Sequence, residues 1–299
     1  MKIHSTDYFI NESTNNYNLG YWEPHSSSID FCETNYLLSH HIVEVHNTLS
    51  SLWGLVLVGL IGLVYGNPTK ERRFAVAYGM LIVTGLGSTA LHATLHWVFQ
   101  SSDELPMMFF ELAVIYCLVE VKSPRNAIQY PRLPLYFFLL AVIDTVVYFQ
   151  FQQIYIIFLS SFIGIMIAAL SLHGRLAWEH WKTRKEKHNS RIALRVYYWH
   201  YLSFLVVAVP VWMVDQLACS SLLEFYNQAL PWPLQGCTAH VLWHAMAGMA
   251  AHFIIQFVVA CRLDCLNLSC DIQWVAGGII PVVVSTTTTS SAGMKTKRN

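Results

Sequence analysis

The sequence predicts an all-α, polytopic membrane protein whose core is a bundle of seven transmembrane helices. Of its 299 residues, 55% are hydrophobic and only 12% are charged, and the formal net charge is zero. Several apolar runs reach the length of roughly 20 residues that a helix needs to cross a bilayer. A neutral chain of this composition excludes a basic nucleic-acid-binding surface, and the sequence carries no nucleic-acid-binding motif.

The apolar runs define the elements in order. We expect transmembrane helices at about residues 45–65, 74–98, 104–121, 134–149, 153–173, 196–217 and 238–261. The fourth and fifth are separated only by Gln150–Gln153 and could instead form one long hairpin. The chain therefore divides into an N-terminal segment (residues 1–43), a transmembrane domain (44–262) and a tail (263–299), whose Ser/Thr-rich end is expected to be disordered.

The basic residues predict the orientation of the helices. Every Lys and Arg except Lys2 follows the first, third, fifth or seventh helix and so lies on one side of the membrane. The positive-inside rule places that side in the cytosol and the N-terminus in the lumen. The polar stretch 1–30 lacks the apolar core of a signal peptide, so the first helix would act as its own insertion signal.

Short features at both ends of the chain add to this topology. Asn11 opens a glycosylation sequon on the predicted lumenal side. The apolar run from Ile272 to Val284 in the tail is too short to cross a membrane. The final five residues are similar to a lysine-based retrieval signal, although short basic ends are common. They favour the endoplasmic reticulum, or else the Golgi, as the compartment.

The histidines His240 and His244 are the strongest chemical signal in the sequence. Residues four apart lie one turn apart on the same helix face, a spacing that suits two imidazole ligands of one zinc ion. Both could instead be ordinary buried histidines, because this spacing alone is a weak signal. An ionisable side chain inside a membrane helix is costly, however, and is therefore a functional candidate. A zinc site would need a third ligand at the same depth.

Depth along the helices identifies that third ligand. With a rise of about 1.5 Å per residue, His92 lies about 28 Å from the basic start of the second helix, and His244 lies about 27 Å from the basic end of the seventh. We therefore predict that His92, His240 and His244 bind zinc and leave a fourth position to water, as in catalytic zinc sites. His96, one turn beyond His92, is the alternative third ligand.

Other polar residues reach the same leaflet. Ser88 lies one turn from His92, where its hydroxyl could stabilise an oxyanion or merely bond back to a helix carbonyl. Asp103 could be a general base, or simply the N-cap of the third helix with Pro106 in its first turn. Asp215 lies about 30 Å along the sixth helix, where it could hold a histidine by its second ring nitrogen.

A cluster of oxygen ligands precedes the first helix. The stretch Asp30–Asn35, together with Glu44, offers the carboxylate and amide oxygens that hard cations such as calcium prefer. The same residues could instead form a capped helix start, and they do not match the helix–loop–helix calcium motif. From the residues alone, the capped helix start is the favoured interpretation.

Several motifs, taken together and in order, resemble the alkaline ceramidases. They are Gly20–Pro24, Ser28–Glu33, Glu44 with Asn47 and Thr48, Gly87 and Ser88 with His92, Asp103–Met107, Trp212 with Asp215 and Cys219, and His240 with Trp243 and His244. Alkaline ceramidases are seven-helix membrane hydrolases of a superfamily that includes the adiponectin-type receptors. The resemblance covers about residues 20–262, and the combination is specific although no single motif is.

The resemblance implies an enzyme that hydrolyses ceramide to a sphingoid base and a free fatty acid. In such an enzyme His92, His240 and His244 would bind zinc. Ser88 would stabilise the oxyanion, and Asp103 would transfer protons. The zinc ion would activate the attacking water and polarise the amide carbonyl.

The resemblance also makes a calcium site the expectation for the N-terminal segment. The implied ligands are Asp30, Glu33, Asn35, Glu44 and the backbone carbonyl of Phe31. A disulfide between Cys32 and Cys219 would join this segment to the end of the sixth helix.

Three functional interpretations follow. The leading one is a zinc-dependent intramembrane amidase acting on ceramide-type lipids, whose alkyl chains would enter from the bilayer. The alternatives are a lipid-binding or signalling receptor of the adiponectin type, and a hydrolase that remodels other lipids such as glycolipid anchors. Asp103 beside Ser88, with the three histidines, favours the enzyme. Its expected partners are the lipid substrate and the bilayer, and no nucleic acid.

Overall fold

The computed structural model describes residues 20–125 and 127–286. Its helices are α1 (Val45–Tyr65), α2 (Arg72–Thr94), α3 (Trp97–Val119), α4 (Leu133–Gln150), α5 (Tyr155–Thr183), α6 (His188–Leu217), α7 (Cys219–Ala229) and α8 (Ala239–Cys265). Two antiparallel strands follow, β1 (Cys270–Val275) and β2 (Ile280–Ser285). The sequon at Asn11, the Ser/Thr-rich end and the C-terminal basic residues lie outside the described residues.

Six of the helices are long and apolar enough to cross a membrane, namely α1, α2, α4, α5, α6 and α8. Each corresponds to one of the predicted spans. The remaining predicted span, 104–121, falls on α3, which has the necessary length but carries the acidic residues Asp103, Glu104 and Glu111. A seventh span and the lumenal N-terminus therefore stay predictions.

The start of α3 corrects one expectation. Asp103 is not the N-cap of this helix, because α3 begins six residues earlier, at Trp97. The ring of His96 caps it by accepting a hydrogen bond from the backbone N–H of Val98. Pro106 consequently lies inside the helix, where it cannot donate to the carbonyl of Ser102. The sequence signal of Asp followed by Pro was therefore misread as a helix start.

Helix α8 is the centre of the bundle. It packs on α1, α2 and α6, and most of its side chains are buried. The backbones of α1 and α8 approach closely, since a Cβ atom added at Gly248 would lie 1.9 Å from the carbonyl oxygen of Gly54. The main apolar core surrounds the second half of α8, from Phe253 to Leu263. We call this end, which carries Arg72, Arg195 and Arg262, the basic end, and the opposite end the histidine end.

The outer helices α4 and α5 are mostly uncovered by other parts of the protein. Helix α5 packs on α3 and on the first half of α6 (His188–Tyr201). The whole of α6 packs on α8, but from the π-helical turn Leu202–Ala208 onward it no longer packs closely on α5. Toward the histidine end, the described residues of α5 and of the second half of α6 therefore make few close contacts with each other.

The apolar run in the tail forms a β-hairpin that the sequence analysis did not anticipate. β1 and β2 pair from Cys270↔Ser285 to Val275↔Ile280. The side chains of Ile280, Val282 and Val283 are buried against the bundle. The run is too short to span a membrane, and the hairpin extends beyond it at both ends, from Cys270 to Ser285.

Candidate metal centre and catalytic site

Three imidazoles from two helices meet at the histidine end. His92 of α2 and His240 and His244 of α8 each offer a ligand atom, and these atoms lie within 4.8 Å of one another. The three side chains are 0%, 2% and 2% exposed, respectively. His96, the alternative third ligand, is outside this group because it lies beyond the end of α2 and caps α3.

A second layer of oxygen atoms surrounds the three rings. Nδ1 of His92 lies 2.5 Å from Oε2 of Glu44, and Nδ1 of His244 lies 2.7 Å from Oγ of Ser50. Asp215 accepts a hydrogen bond from the backbone N–H of His240 at 3.1 Å, and its second carboxylate oxygen lies 3.6 Å from that residue's Nδ1. In all three histidines, an oxygen atom thus stands beside Nδ1.

The contact with Glu44 determines the proton position on His92. When Glu44 is ionised its carboxylate only accepts hydrogen bonds, so that Nδ1 of His92 is the donor and Nε2 carries a lone pair. That Nε2 atom is fully buried and has no hydrogen-bond partner among the described residues. A buried imidazole lone pair without a donor, beside two further imidazoles, fits a zinc ion, which binds neutral histidine nitrogen.

Ser88 and Asp103 adjoin this group. The hydroxyl of Ser88 lies 3.4 Å from Nε2 of His244 and 3.0 Å from the hydroxyl of Ser51, and the side chain of Asp103 is close to that of Ser88. The contact depends on Gly87, because a Cβ atom there would lie 1.8 Å from the carbonyl oxygen of Ser102. The absence of a side chain at this position lets α2 and α3 approach closely enough to bring Ser88 and Asp103 together.

The N-terminal segment covers the histidines. The ring of Phe31 packs on His92 and His240, with centroid distances of 4.4 and 4.5 Å. Cys32, the next residue, is disulfide-bonded to Cys219, which confirms the pairing expected from the resemblance. Phe31 therefore forms an apolar cover that separates the imidazoles from the water at the histidine end.

Glu33 acts as a helix cap. Its two carboxylate oxygens accept hydrogen bonds from the backbone N–H groups of His46 and Asn47 at 2.8 Å each. These N–H groups belong to the first turn of α1. The N–H groups of a first helical turn have no carbonyl acceptor within the helix. The interpretation of this stretch as a capped helix start is thus correct for Glu33, whatever else the carboxylate binds.

The neighbouring oxygens are less well satisfied. Oδ1 of Asn35, Oε1 of Glu44 and Oδ1 of Asn47 are buried and have no hydrogen-bond partner among the described residues. Burial also raises the pKa of Asp30 to about 6, because the charged carboxylate loses water. Buried acceptor oxygens without donors among the described residues, from three neighbouring side chains and next to the buried Asp30 carboxyl, fit a hard cation such as calcium.

Sequence reasoning missed several residues of this site. Ser50 and Ser51, which contact His244, lie in the apolar helix α1, where serine is unremarkable. Asn47 was noted only as part of a motif, although it lies one turn from Glu44 and donates to its carboxylate. The double position of Glu44, beside His92 and among the unsatisfied oxygens, follows from no spacing in the sequence.

Comparisons with known proteins show the family to which the chain is similar. A family model described as Ceramidase matches residues 23–284. The chain is 28% identical to alkaline ceramidase 3 of Mus musculus, over 89% of this chain and 94% of that protein. It is 27% identical to the alkaline ceramidase of Arabidopsis thaliana, over 88% of this chain and 94% of that protein. It is 28% identical to alkaline ceramidase YPC1 of Saccharomyces cerevisiae, over 86% of this chain and 83% of that protein.

Proposed function

The chain belongs to the ceramidase family, and from this premise we propose that it is a zinc-dependent intramembrane amidase that hydrolyses ceramide-type lipids to a sphingoid base and a free fatty acid. The observation that carries the zinc proposal is the unpartnered Nε2 of His92 beside His240 and His244. A zinc ion held by these three nitrogens would act as a Lewis acid on the amide carbonyl and would activate a water molecule.

The chain's own residues would then serve the reaction in two ways. Asp103 is the general base that removes a proton from water and passes it to the leaving nitrogen. The hydroxyl of Ser88 donates a hydrogen bond to the carbonyl oxygen as negative charge develops there. Their contact with each other in the resting site is consistent with both groups facing the same reacting atoms. The amide and one water molecule together supply all the atoms of the two products, the sphingoid base and the fatty acid.

The substrate enters from the bilayer in this proposal. Ceramide-type lipids carry two alkyl chains, and burial of each CH2 contributes about 0.8 kcal/mol, so they stay in the membrane. The loose packing between α5 and the second half of α6 supports a side entrance toward the histidine end. Phe31, in contrast, covers the imidazoles on the side of the N-terminal segment.

We further propose that calcium occupies the unsatisfied oxygens of the N-terminal segment. The proposed ligands are Asp30, Glu33, Asn35, Glu44 and the carbonyl of Phe31, with Asn47 as an additional oxygen. The role of this ion is structural or regulatory. It offsets the charge of Glu44, whose other oxygen orients His92, and so links the two metal sites.

The predicted compartment and orientation complete the proposal. The protein is an integral membrane protein. The basic residues at one end of the bundle support a cytosolic basic end and a lumenal histidine end. Under this orientation the Cys32–Cys219 disulfide lies on the oxidising side of the membrane, where such bonds persist. The endoplasmic reticulum is the proposed compartment.

Two variants and one control variant test the proposed mechanism. Ser88→Ala should lower kcat by about 10²–10³ and Asp103→Asn by about 10²–10⁴, with zinc content unchanged. The matched control is Asp144→Asn, which removes a carboxylate of the outer helix α4. The measurements are fatty acid release from ceramide in detergent micelles and zinc by mass spectrometry. If the parent protein holds its full zinc content but releases no fatty acid, the result would instead support a lipid-binding or signalling receptor of the adiponectin type.

A further inference from the structure

The β-hairpin at the basic end exposes an apolar tip. Residues 272–284 carry no charged side chain. The four residues between the paired Val275 and Ile280 are Ala276, Gly277, Gly278 and Ile279. Trp274 is 53% exposed and Ile279 is 72% exposed, although both are large apolar side chains. Exposure of such large apolar side chains to water is unfavourable, so we ask what the tip contacts.

Polar contacts fix how the hairpin is held. On β2, the carbonyl of Pro281 accepts a hydrogen bond from Nε2 of His252 at 2.8 Å, and the N–H of Val283 donates to Oε1 of Gln256 at 2.5 Å. The Gln256 amide also donates to the hydroxyl of Tyr78. The inner strand is thus tied to α8 and through it to α2. The outer strand and the tip remain on the surface, and their direction is set by these contacts.

The contacts of β1 with α6 give the direction in which the tip points. The N–H of Cys270 donates to the side-chain oxygen of Asn189, in the first turn of α6, whereas Trp274 packs on Trp199, with a centroid distance of 6.0 Å. From Asn189 to Trp199 the helix rises about 15 Å, and from Cys270 to Trp274 the strand advances about 13 Å. The strand therefore runs alongside α6, from its basic end toward the membrane.

The depth of Trp274 can be compared with the basic residues of α6. Arg195 is exposed and is the last basic residue before the apolar part of this helix. Trp199 lies one turn deeper than Arg195. Beyond it, Tyr201 and Leu202 belong to the exposed apolar surface of the helix. The hairpin tip, which continues beyond Trp274, is therefore level with the part of α6 that faces lipid.

We propose that the hairpin tip, Trp274–Ile279, inserts into the membrane leaflet at the basic end and contacts lipid. The turn suits this position because Ala276, Gly277 and Gly278 all have positive φ angles, of 52°, 72° and 86°, and the two glycines keep it narrow. Tryptophan is enriched at the membrane interface, where its ring meets both acyl chains and headgroups. Through Gln256 and His252, the inserted hairpin braces α8, the helix that carries two of the three metal-site histidines.

A fluorescent probe at the tip tests the proposal. In a background with the exposed thiols removed (Cys237→Ser and Cys265→Ser), Ile279→Cys is labelled with an environment-sensitive dye, and the full chain is placed in lipid nanodiscs, which leave both faces open to solvent. The matched control is the same label at Asp271→Cys, near the base of the same hairpin and exposed. Fatty acid release by each labelled protein verifies folding.

The two positions should respond in opposite ways to two quenchers. Lipids that carry a nitroxide near the headgroup should quench the probe at residue 279 at least about threefold more than the probe at 271. Iodide in the aqueous phase should show the reverse preference. Equal quenching of both probes by iodide would overturn the proposal. So would a probe at 279 that neither quencher reaches, because the tip would then be covered by protein, for example by a second copy of the chain.

Discussion

Glu44 shows how one side chain can serve two sites. Its Oε2 atom faces Nδ1 of His92, and its buried Oε1 atom has no hydrogen-bond partner in the part of the chain that the structure describes. A carboxylate in this position orients the ring through one oxygen and is free to meet a cation through the other. Neutralising its charge should therefore affect both metal sites at once.

Glu44→Gln tests this double role. The substitution keeps the volume but removes the charge, so we expect zinc affinity or activity to fall by roughly 10- to 100-fold, together with weaker calcium binding. Zinc affinity is measured by competition with a chelator, and calcium binding by calorimetry. Glu33→Gln is the control, since the described contacts of Glu33 are with His46 and Asn47 and not with the three metal-site histidines, and it should weaken calcium binding alone. Unchanged zinc affinity in Glu44→Gln would contradict the link.

The sequence predicted the metal-site histidines better than the groups around them. His92, His240 and His244 stand out because an ionisable residue is rare in an apolar helix, and depth along the helix then relates them. Ser50 gives no such signal, because a serine in a membrane helix usually bonds to its own backbone. In the structure it does this too, donating to the carbonyl of Asn47 while its oxygen faces His244.

At the scale of the helices, glycines decide which backbones meet. Gly248 on α8 faces Gly54 on α1, and Gly87 on α2 faces Ser102 on α3. Small residues allow membrane helices to pack closely where larger side chains would separate them. Both contacts lie next to the site. The first brings α1 and its serines to His244, and the second brings Asp103 to Ser88.

Gly248→Ala should destabilise the protein for this reason. Its new methyl group would lie 1.9 Å from the carbonyl oxygen of Gly54, so the two backbones must separate. Overpacking of this kind costs about 1–3 kcal/mol, and the midpoint of thermal unfolding in detergent should fall. Gly79→Ala is a matched control on α2, because no other element of the described chain lies within 4 Å of the added methyl group. Equal midpoints for the two variants would refute the packing argument.

The predicted helices agree with the structure except at the start of α3, and the β-hairpin of the tail was not predicted. Six predicted spans coincide with long apolar helices, because about 20 apolar residues have few alternatives in a membrane. The start of α3 was wrong because Asp103 and Pro106 imitate a helix start, whereas His96 provides the actual cap. The hairpin was missed because an uncharged run shorter than a span has no distinct period that separates strand from loop.

At the scale of the whole molecule, the disulfide joins parts of the chain 187 residues apart. It ties the N-terminal segment, with Phe31 and the proposed calcium ligands, to the beginning of α7 at Cys219. Because Phe31 packs on two of the histidines, this segment and the bundle form one unit at the histidine end. Loss of the bond should release the segment more than it disturbs the helices.

Cys32→Ser should accordingly lower stability and weaken calcium binding. Removal of a disulfide usually costs about 2–5 kcal/mol, and here the cost should appear as a lower unfolding midpoint and a lower calcium affinity. Cys237→Ser is the control because Cys237 is a free, exposed thiol at the same end of the bundle. If both variants bind calcium as the parent protein does, the disulfide has no part in forming the calcium site.

The loose contact between α5 and the second half of α6 has a practical consequence for inhibition. A compound that approaches through this gap must first dissolve in the hydrocarbon phase. Its potency would then depend on its mole fraction among the surrounding amphiphiles rather than on its bulk concentration. When inert detergent is added to a fixed amount of compound, the inhibition should weaken in proportion to the fall in the compound's mole fraction.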